Sequence, residues 1–235
     1  MTKTRKSHYK FVMTDIFKIK KFNFPYTDYR FSGQNEGERI LFITRESEIM
    51  HKLRLGLLLG ASLIAMILGF ILVSLIEQYI PQFTFFKTLI IIVVGLFLVL
   101  GYFWIEETFR KSLFFITTRR LTKIIYTTPF TWYQFSLGLD EIQDTGSYGS
   151  TYIEALFKLG YFVARSGAGA IKNFKIVNIT YSQDLHNYAN KLLFAFKHYP
   201  NRINEFRPFI PHLKAGEREE LFKKYPEYKT EFDAT

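Results

Sequence analysis

The sequence predicts a membrane α-helical hairpin of two transmembrane helices and, after it, a cytoplasmic antiparallel β domain of sandwich or barrel type that ends in one helix. Three observations carry this fold class. Two long apolar runs without charge are separated only by Glu77 to Lys87. Short aromatic and β-branched runs broken by turn residues follow them, and one stretch with helical spacing closes the series.

Composition bounds the reading. The chain has 235 residues, 48% apolar and 18% aromatic, which is too rich in apolar side chains for a disordered binder. Its net charge of +10 is unevenly placed: residues 1–54 hold 12 Lys/Arg against 6 Asp/Glu, 106–199 hold 11 against 7, and 200–235 hold 7 against 7. The positive excess therefore flanks the apolar runs. There is no cysteine, so disulfides, thiolate catalysis and cysteine metal sites are excluded.

Residues 1–30 form a basic arm, whose stretch TKTRKSHYKFVMTDIFKIKKF carries 7 Lys/Arg against Asp15 alone. Tyr9, Val12, Met13, Ile16 and Phe17 fall at helical spacing, which would seat one face at the headgroup boundary with Lys10, Lys18 and Lys21 near anionic lipid. Phe11 and Ile19 break that pattern, and a basic tail without structure or a strand in KIKKFNF are equal rivals. A lead-in segment, 31–54, comes next.

The hairpin occupies 55–105. Leu55 to Ile76 is 22 residues without a charge and Thr88 to Ile105 is 18 more, while a hydrocarbon core needs about 20 residues of helix. A buried core helix is rarely apolar on every face for so long, and a signal peptide has a shorter apolar region than either run. The connection EQYIPQFTFFK is short, contains Pro81 and supplies aromatic side chains for the membrane interface. Lys52 and Arg54 precede the first span and Arg110 and Lys111 follow the second, whereas the loop has only Lys87 against Glu77. Cytoplasmic flanks carry the Lys/Arg excess, so both termini are expected in the cytoplasm.

Residues 112–198 form the β domain. SLFFITTRRLTKIIYTT reads as two strands reversing at Arg119 and Arg120, two arginines that either meet anionic headgroups or belong to a solvated turn. TWYQFSLGL, DEIQDTGSYGS, LFKLGYFVARSGAGA and FKIVNIT continue the extended runs. The helix follows, with Ser182 as N-cap, Asp184 in the first turn, and Leu185, Tyr188, Ala189, Leu192, Leu193 and Phe196 on one face. Residues 199–235 are a charged tail with room for a short helix.

The order of FSGQNEGERILFITRES, two spans, SLFFITTRRLTKIIYTT, LDEIQDT, LFKLGYFVARSGAG and FKIVNIT before one amphipathic helix resembles the bacterial membrane-anchored pleckstrin-homology-like (PH-like) family of the two-span type. Gly33-Gln34 with Glu36 and Glu38 is similar to that family's lead-in, Ile116 to Leu121 to its first hairpin, and Leu139 to Thr145 to the strand end and turn that follow. The resemblance covers Phe31 to Phe196 and implies about seven antiparallel strands capped by the helix. RESEIMHK, mixed in charge, departs from the basic or histidine-containing stretch often found there, and neither tail has a counterpart.

No catalytic, cofactor-binding or metal residue is assigned. His8, His51, His186, His198 and His212 lack ligand spacing, and SGAGA at Ser166 to Ala170 lacks the Lys-Ser/Thr of a phosphate loop and reads as a turn. Asp140, Glu141 and Asp144 read as solvated turn carboxylates. Spans without an internal ionisable group offer no ion path. Gly56 and Gly60, and Ala61, Ala65 and Gly69, make small-residue stripes that suit either the hairpin's own second helix or a second copy. The expected function is noncatalytic. A membrane-anchored module would bind a protein partner, lipid headgroups or itself at the bilayer, without cofactor or nucleic acid, and the alternative is an accessory subunit of a membrane transport or envelope-assembly complex. Candidate membrane-surface residues are Lys10, Lys18, Lys21, Lys52, Arg54, Arg110, Lys111, Arg119 and Arg120.

Overall fold

The computed structural model describes Tyr26 and residues 29–31, 33–149, 152–167, 173–211 and 215–226. The basic arm with Lys10, Lys18 and Lys21, and the SGAGA stretch from Ala168 onward, lie outside the described residues. The chain divides into two compact units. One comprises residues up to Thr44, Leu113–Ile124 and everything from Gln134; the other comprises Arg45–Ser112 and Ile125–Tyr133.

The second unit is built on two helices long and apolar enough to cross a membrane. Helix α1, Glu48–Glu77, starts where the Ser47 hydroxyl accepts the Ile49 amide at 3.2 Å, with Glu48 in the first turn where the helix dipole favours an anion. Its 30 residues extend about 45 Å, and about two turns, Glu48 to Arg54, precede the apolar run. A short 3-10 turn, Pro81–Thr84, leads to helix α2, Phe85–Lys111, which ends on Arg110 and Lys111, cations suited to a helix C-terminus. Apart from Ser62 and Val73, no residue of either helix is buried. The two helices meet at glycines: a Cβ at Gly101 would come within 2.7 Å of Leu58, and one at Gly69 within 3.1 Å of Ile90. Gly69 thus serves the hairpin itself, whereas Gly56 and Gly60 face open space.

The first unit contains seven antiparallel strands in two sheets. Strands β1 (Ile40–Thr44), β2 (Leu113–Thr117), β3 (Arg120–Tyr126) and β4 (Trp132–Gly138) form one sheet in that order, the outer ends of β3 and β4 belonging to the helical unit. Strands β5 (Ile142–Tyr148), β6 (Gly160–Ser166) and β7 (Phe174–Ile179) form the other. The sheets do not close into a barrel. All six extended runs expected after the spans are strands, and the seventh strand is ILFIT, drawn from the lead-in ahead of the hairpin. It pairs with β2 through Phe42 opposite Ile116 and Thr44 opposite Phe114, so strands separated by two spans in sequence are neighbours in the sheet. Leu41, Phe42, Leu113 and Ile116 are almost wholly buried there.

Helix α3 (Tyr152–Leu156) ends where the fifth run begins, and the strand of that run starts only at Gly160. Helix α4 (Ser182–His198) covers the second sheet, with Leu185, Ala189, Leu192, Leu193 and Ala195 buried. Its cap is Tyr181 rather than Ser182, because the Ser182 hydroxyl accepts from Ser147 at 2.9 Å on β5 instead of bonding its own helix. Phe196 is only half-buried. The short helix for which the tail has room is α5 (Ala215–Lys224), which follows a 3-10 turn at Pro200–Glu205. The tail between them is not merely charged. Phe206 and Phe209 are buried, the Phe209 amide donates to Leu41 O at 3.0 Å, and the Phe209 ring meets Phe42 at 4.8 Å. This strap covers the open edge of β1, an edge that would otherwise offer unpaired backbone groups.

Candidate membrane-surface site

The residues flanking the spans form a collar of mixed charge. Arg45, Lys52, Arg54, Arg110 and Lys111 stand against Glu46, Glu48, Glu106 and Glu107. Arg54 pairs with Glu46 at 2.7 Å, Lys111 with Glu107 at 2.9 Å, and Arg110 with Glu107 in the same helical turn. His51 Nε2 lies 3.1 Å from Glu106, and its ring stacks on Phe109 at 4.1 Å. Burial, with the nearby Arg110 charge, pushes the Arg45 guanidinium down to about 10 while Glu106 pulls it back up. Of the four sequence-predicted cations at this collar, Lys52 is exposed and the other three hold carboxylates. The basic flanks are thus largely compensated, a property that only the fold reveals.

The tip of the β3–β4 hairpin lies against the end of α2, in the same unit. The Tyr126 amide donates to Ser112 Oγ at 3.0 Å, and Lys111 Nζ donates to Pro129 O at 3.3 Å while sitting 5.4 Å from the Tyr126 ring centre. Tyr126 in turn stacks with Trp132 at 6.4 Å. Thr128 Oγ1 accepts the Thr131 and Phe130 amides at 2.8 and 3.2 Å, which closes the turn. Phe130 is 82% exposed, Trp132 55% and Tyr133 46%. Sequence reasoning read TWYQFSLGL only as an extended run and missed this cluster. The signal was there in PFTWY, three aromatics in five residues beside a turn.

Arg119 and Arg120, adjacent in sequence, diverge in role. Arg119 is exposed, in the turn, with its guanidinium 3.5 Å from Glu36 O. Arg120 opens β3 and is committed inward: its Nε and Nη2 donate to the two Glu38 oxygens at 2.9 and 3.0 Å, and it also reaches Gly33 O. Glu38, 5% exposed, further accepts Thr117 Oγ1 at 2.7 Å and the Asn35 amide at 2.9 Å. Gly33 and Gly37 have φ of +77° and +73°, the left-handed region glycine tolerates, and so let the lead-in curl back over the β2–β3 turn. Burial alone would raise the Glu38 carboxyl; the bonds from Arg120, Thr117 and Asn35 and the Arg120 charge outweigh it and hold it below the usual carboxylate range. Arg120 is therefore a clasp between lead-in and hairpin, and Arg119 is the more exposed of the pair.

Among the described residues of the β unit are a cavity and a groove. A cavity of about 200 Å³ between α4, the strap and α5 is lined by Tyr188, Lys191, Arg207, Arg218 and Phe222 with Asp184. A wider polar groove of about 710 Å³ at the start of α4 includes Gly146, Tyr148, Lys158, Ser182 and His186. Beside it, Thr145 Oγ1 meets His186 Nδ1 at 2.8 Å and donates to Asn190. Asp184 belongs to both concavities, so an anion entering either meets a carboxylate. Among the described residues, no three His, Asp or Glu side chains gather as metal ligands. Compared with family models, with curated proteins and with solved structures, the chain matches none.

Proposed function

We propose that this chain is a noncatalytic, membrane-anchored protein of PH-like type, which holds its β domain at the cytoplasmic face of a bacterial inner membrane to bind a protein partner, lipid headgroups or a second copy of itself. The observation that carries this reading is the pairing of β1 with β2. That pairing supports a chain that enters the hairpin and leaves it on one side of the bilayer, as two crossings would. The positive-inside rule supports the cytoplasm as that side, since Lys52, Arg54, Arg110 and Lys111 flank the apolar runs while the loop has only Lys87 against Glu77. Photo-crosslinking of the full chain in native membranes tests the binding role. Adducts that vanish when the β domain is replaced by an unrelated soluble domain support it. Adducts that persist through that replacement favour instead an accessory subunit of a transport or envelope-assembly complex, a reading to which the open Gly56 and Gly60 positions on α1 lend support.

A further inference from the structure

We infer that the β3–β4 tip, Thr127 to Tyr133, is a third membrane contact: its aromatic side chains enter the headgroup layer of the leaflet from which α2 emerges. The inference rests on the reading of α1 and α2 as spans and adds to it a contact made by the β hairpin. Depth follows from helix geometry. Lys111 lies six residues past Ile105, the end of the apolar run, which is about 9 Å along the axis. The headgroup zone of one leaflet is about 5–8 Å thick, so Lys111 ends at its outer margin. The tip is held at this level by Lys111 Nζ on Pro129 O, Ser112 Oγ on the Tyr126 amide, and the Lys111–Tyr126–Trp132 stack.

The chemistry of the tip fits that layer. Tyr126, Trp132 and Tyr133 each join an apolar ring to a polar handle, the type of side chain that concentrates where hydrocarbon gives way to water, and Phe130 supplies a purely apolar end. No Asp, Glu, Lys or Arg occurs between Ile124 and Gly138, so nothing in the tip opposes partial burial. Tyr102, Phe103 and Trp104, all about half exposed, mark the edge of the hydrocarbon on α2 itself, about 10–14 Å along the axis before Lys111. The tip thus extends outward, through the headgroup layer, an aromatic belt that the helix already carries. The occupant is lipid, because the belt extends from the outward-facing apolar surface of the helices and the nearby Arg54, Arg110 and Lys111 are already paired with carboxylates.

The chain has two tryptophans, Trp104 and Trp132, and no cysteine, which makes the test direct. The full chain carrying Trp104→Phe is reconstituted in vesicles of phosphatidylcholine with a minority of phosphatidylglycerol, leaving Trp132 as the reporter. The expected result is blue-shifted emission, quenched by phospholipids brominated near the top of the acyl chain and little affected by aqueous iodide. Strong iodide quenching with no response to brominated lipid overturns the inference. Protection from both quenchers also overturns it, since the tip would then be covered by protein. The reciprocal variant, Trp132→Phe, reports Trp104: if that residue is not quenched by brominated lipid, it is the span reading that fails. Should Trp104→Phe not fold, a nitroxide on Phe130→Cys gives the same decision through its accessibility to oxygen against a water-soluble nickel chelate.

Discussion

At the scale of single residues, the Glu38–Arg120 pair has the clearest consequence for stability. Glu38 is buried and Arg120 keeps partial access to water, so losing one partner strands a charge without fully desolvating the other. Glu38→Ala should therefore cost about 3 kcal/mol, the lower end for a broken buried pair, whereas Arg119→Ala should leave the melting temperature nearly unchanged. The pH dependence has a definite sign. Because the folded carboxyl titrates below its unfolded value, the pair contributes fully above about pH 4.5, and that contribution is lost as pH falls through the lowered folded value. Melting in detergent from pH 7 down to pH 3 should show a decline below about pH 5 that Glu38→Gln reduces. An identical decline in both proteins would remove Glu38 as its source. His51 and Glu106, 3.1 Å apart, are one of several close pairs at the collar.

At the scale of elements, helix α4 depends on a narrow stripe. Leu185 and Leu192 are wholly buried, so Leu192→Ala should destabilise the β unit by about 3 kcal/mol through lost apolar contact and the cavity it leaves. The sequence pattern placed Phe196 on the same stripe, yet it is half-buried, so Phe196→Ala should cost distinctly less. Thermal unfolding of the two variants side by side checks the ranking; equal losses would mean that the end of α4 is more enclosed than its exposure indicates. The strap is the other element with a stated role. Phe209→Ala removes a ring that meets Phe42, Tyr188 and Tyr181 and uncovers the β1 edge, and should both lower stability and raise aggregation on concentration.

At the scale of the whole molecule, the hairpin is an insertion between two paired strands. Thr44 and Phe114 are partners in the ladder, so a short Gly/Ser turn can join them in place of 45–112. A chain of 31–44, that turn and 113–211 should fold cooperatively by circular dichroism and amide exchange. The same chain without 31–44 loses Leu41, Phe42 and the Glu38 clasp and should not show a cooperative transition. If both behave alike, β1 is dispensable to the sheet. Topology of the complete protein is checked with reporters: one active only in the cytoplasm is expected to work after Thr235 and at Met1, and one active only outside within Tyr79 to Phe85. A cytoplasmic signal from the loop would exclude the two-crossing arrangement.

Much of this protein was legible in one dimension, for a definable reason. The spans, the order of strands β2 to β7 and the buried stripe of α4 are local periodicities, carried by side chains whose neighbours in sequence are their neighbours on a face. The basic flanks were equally visible as charges. Their pairing was not, because Arg54 meets Glu46 across a helix start and Arg120 meets Glu38 across 82 residues that include both spans. Nor could local pattern reveal that ILFIT joins the sheet, that Phe206 and Phe209 seal its edge, or that PFTWY comes to rest beside Lys111. By itself the sequence determined which segments are apolar, extended or helical, since those depend on spacing along the chain. Only the tertiary structure decided which charges remain free and which aromatics stay exposed, since burial and pairing are set by residues far apart in sequence that the sheet brings within a few ångströms.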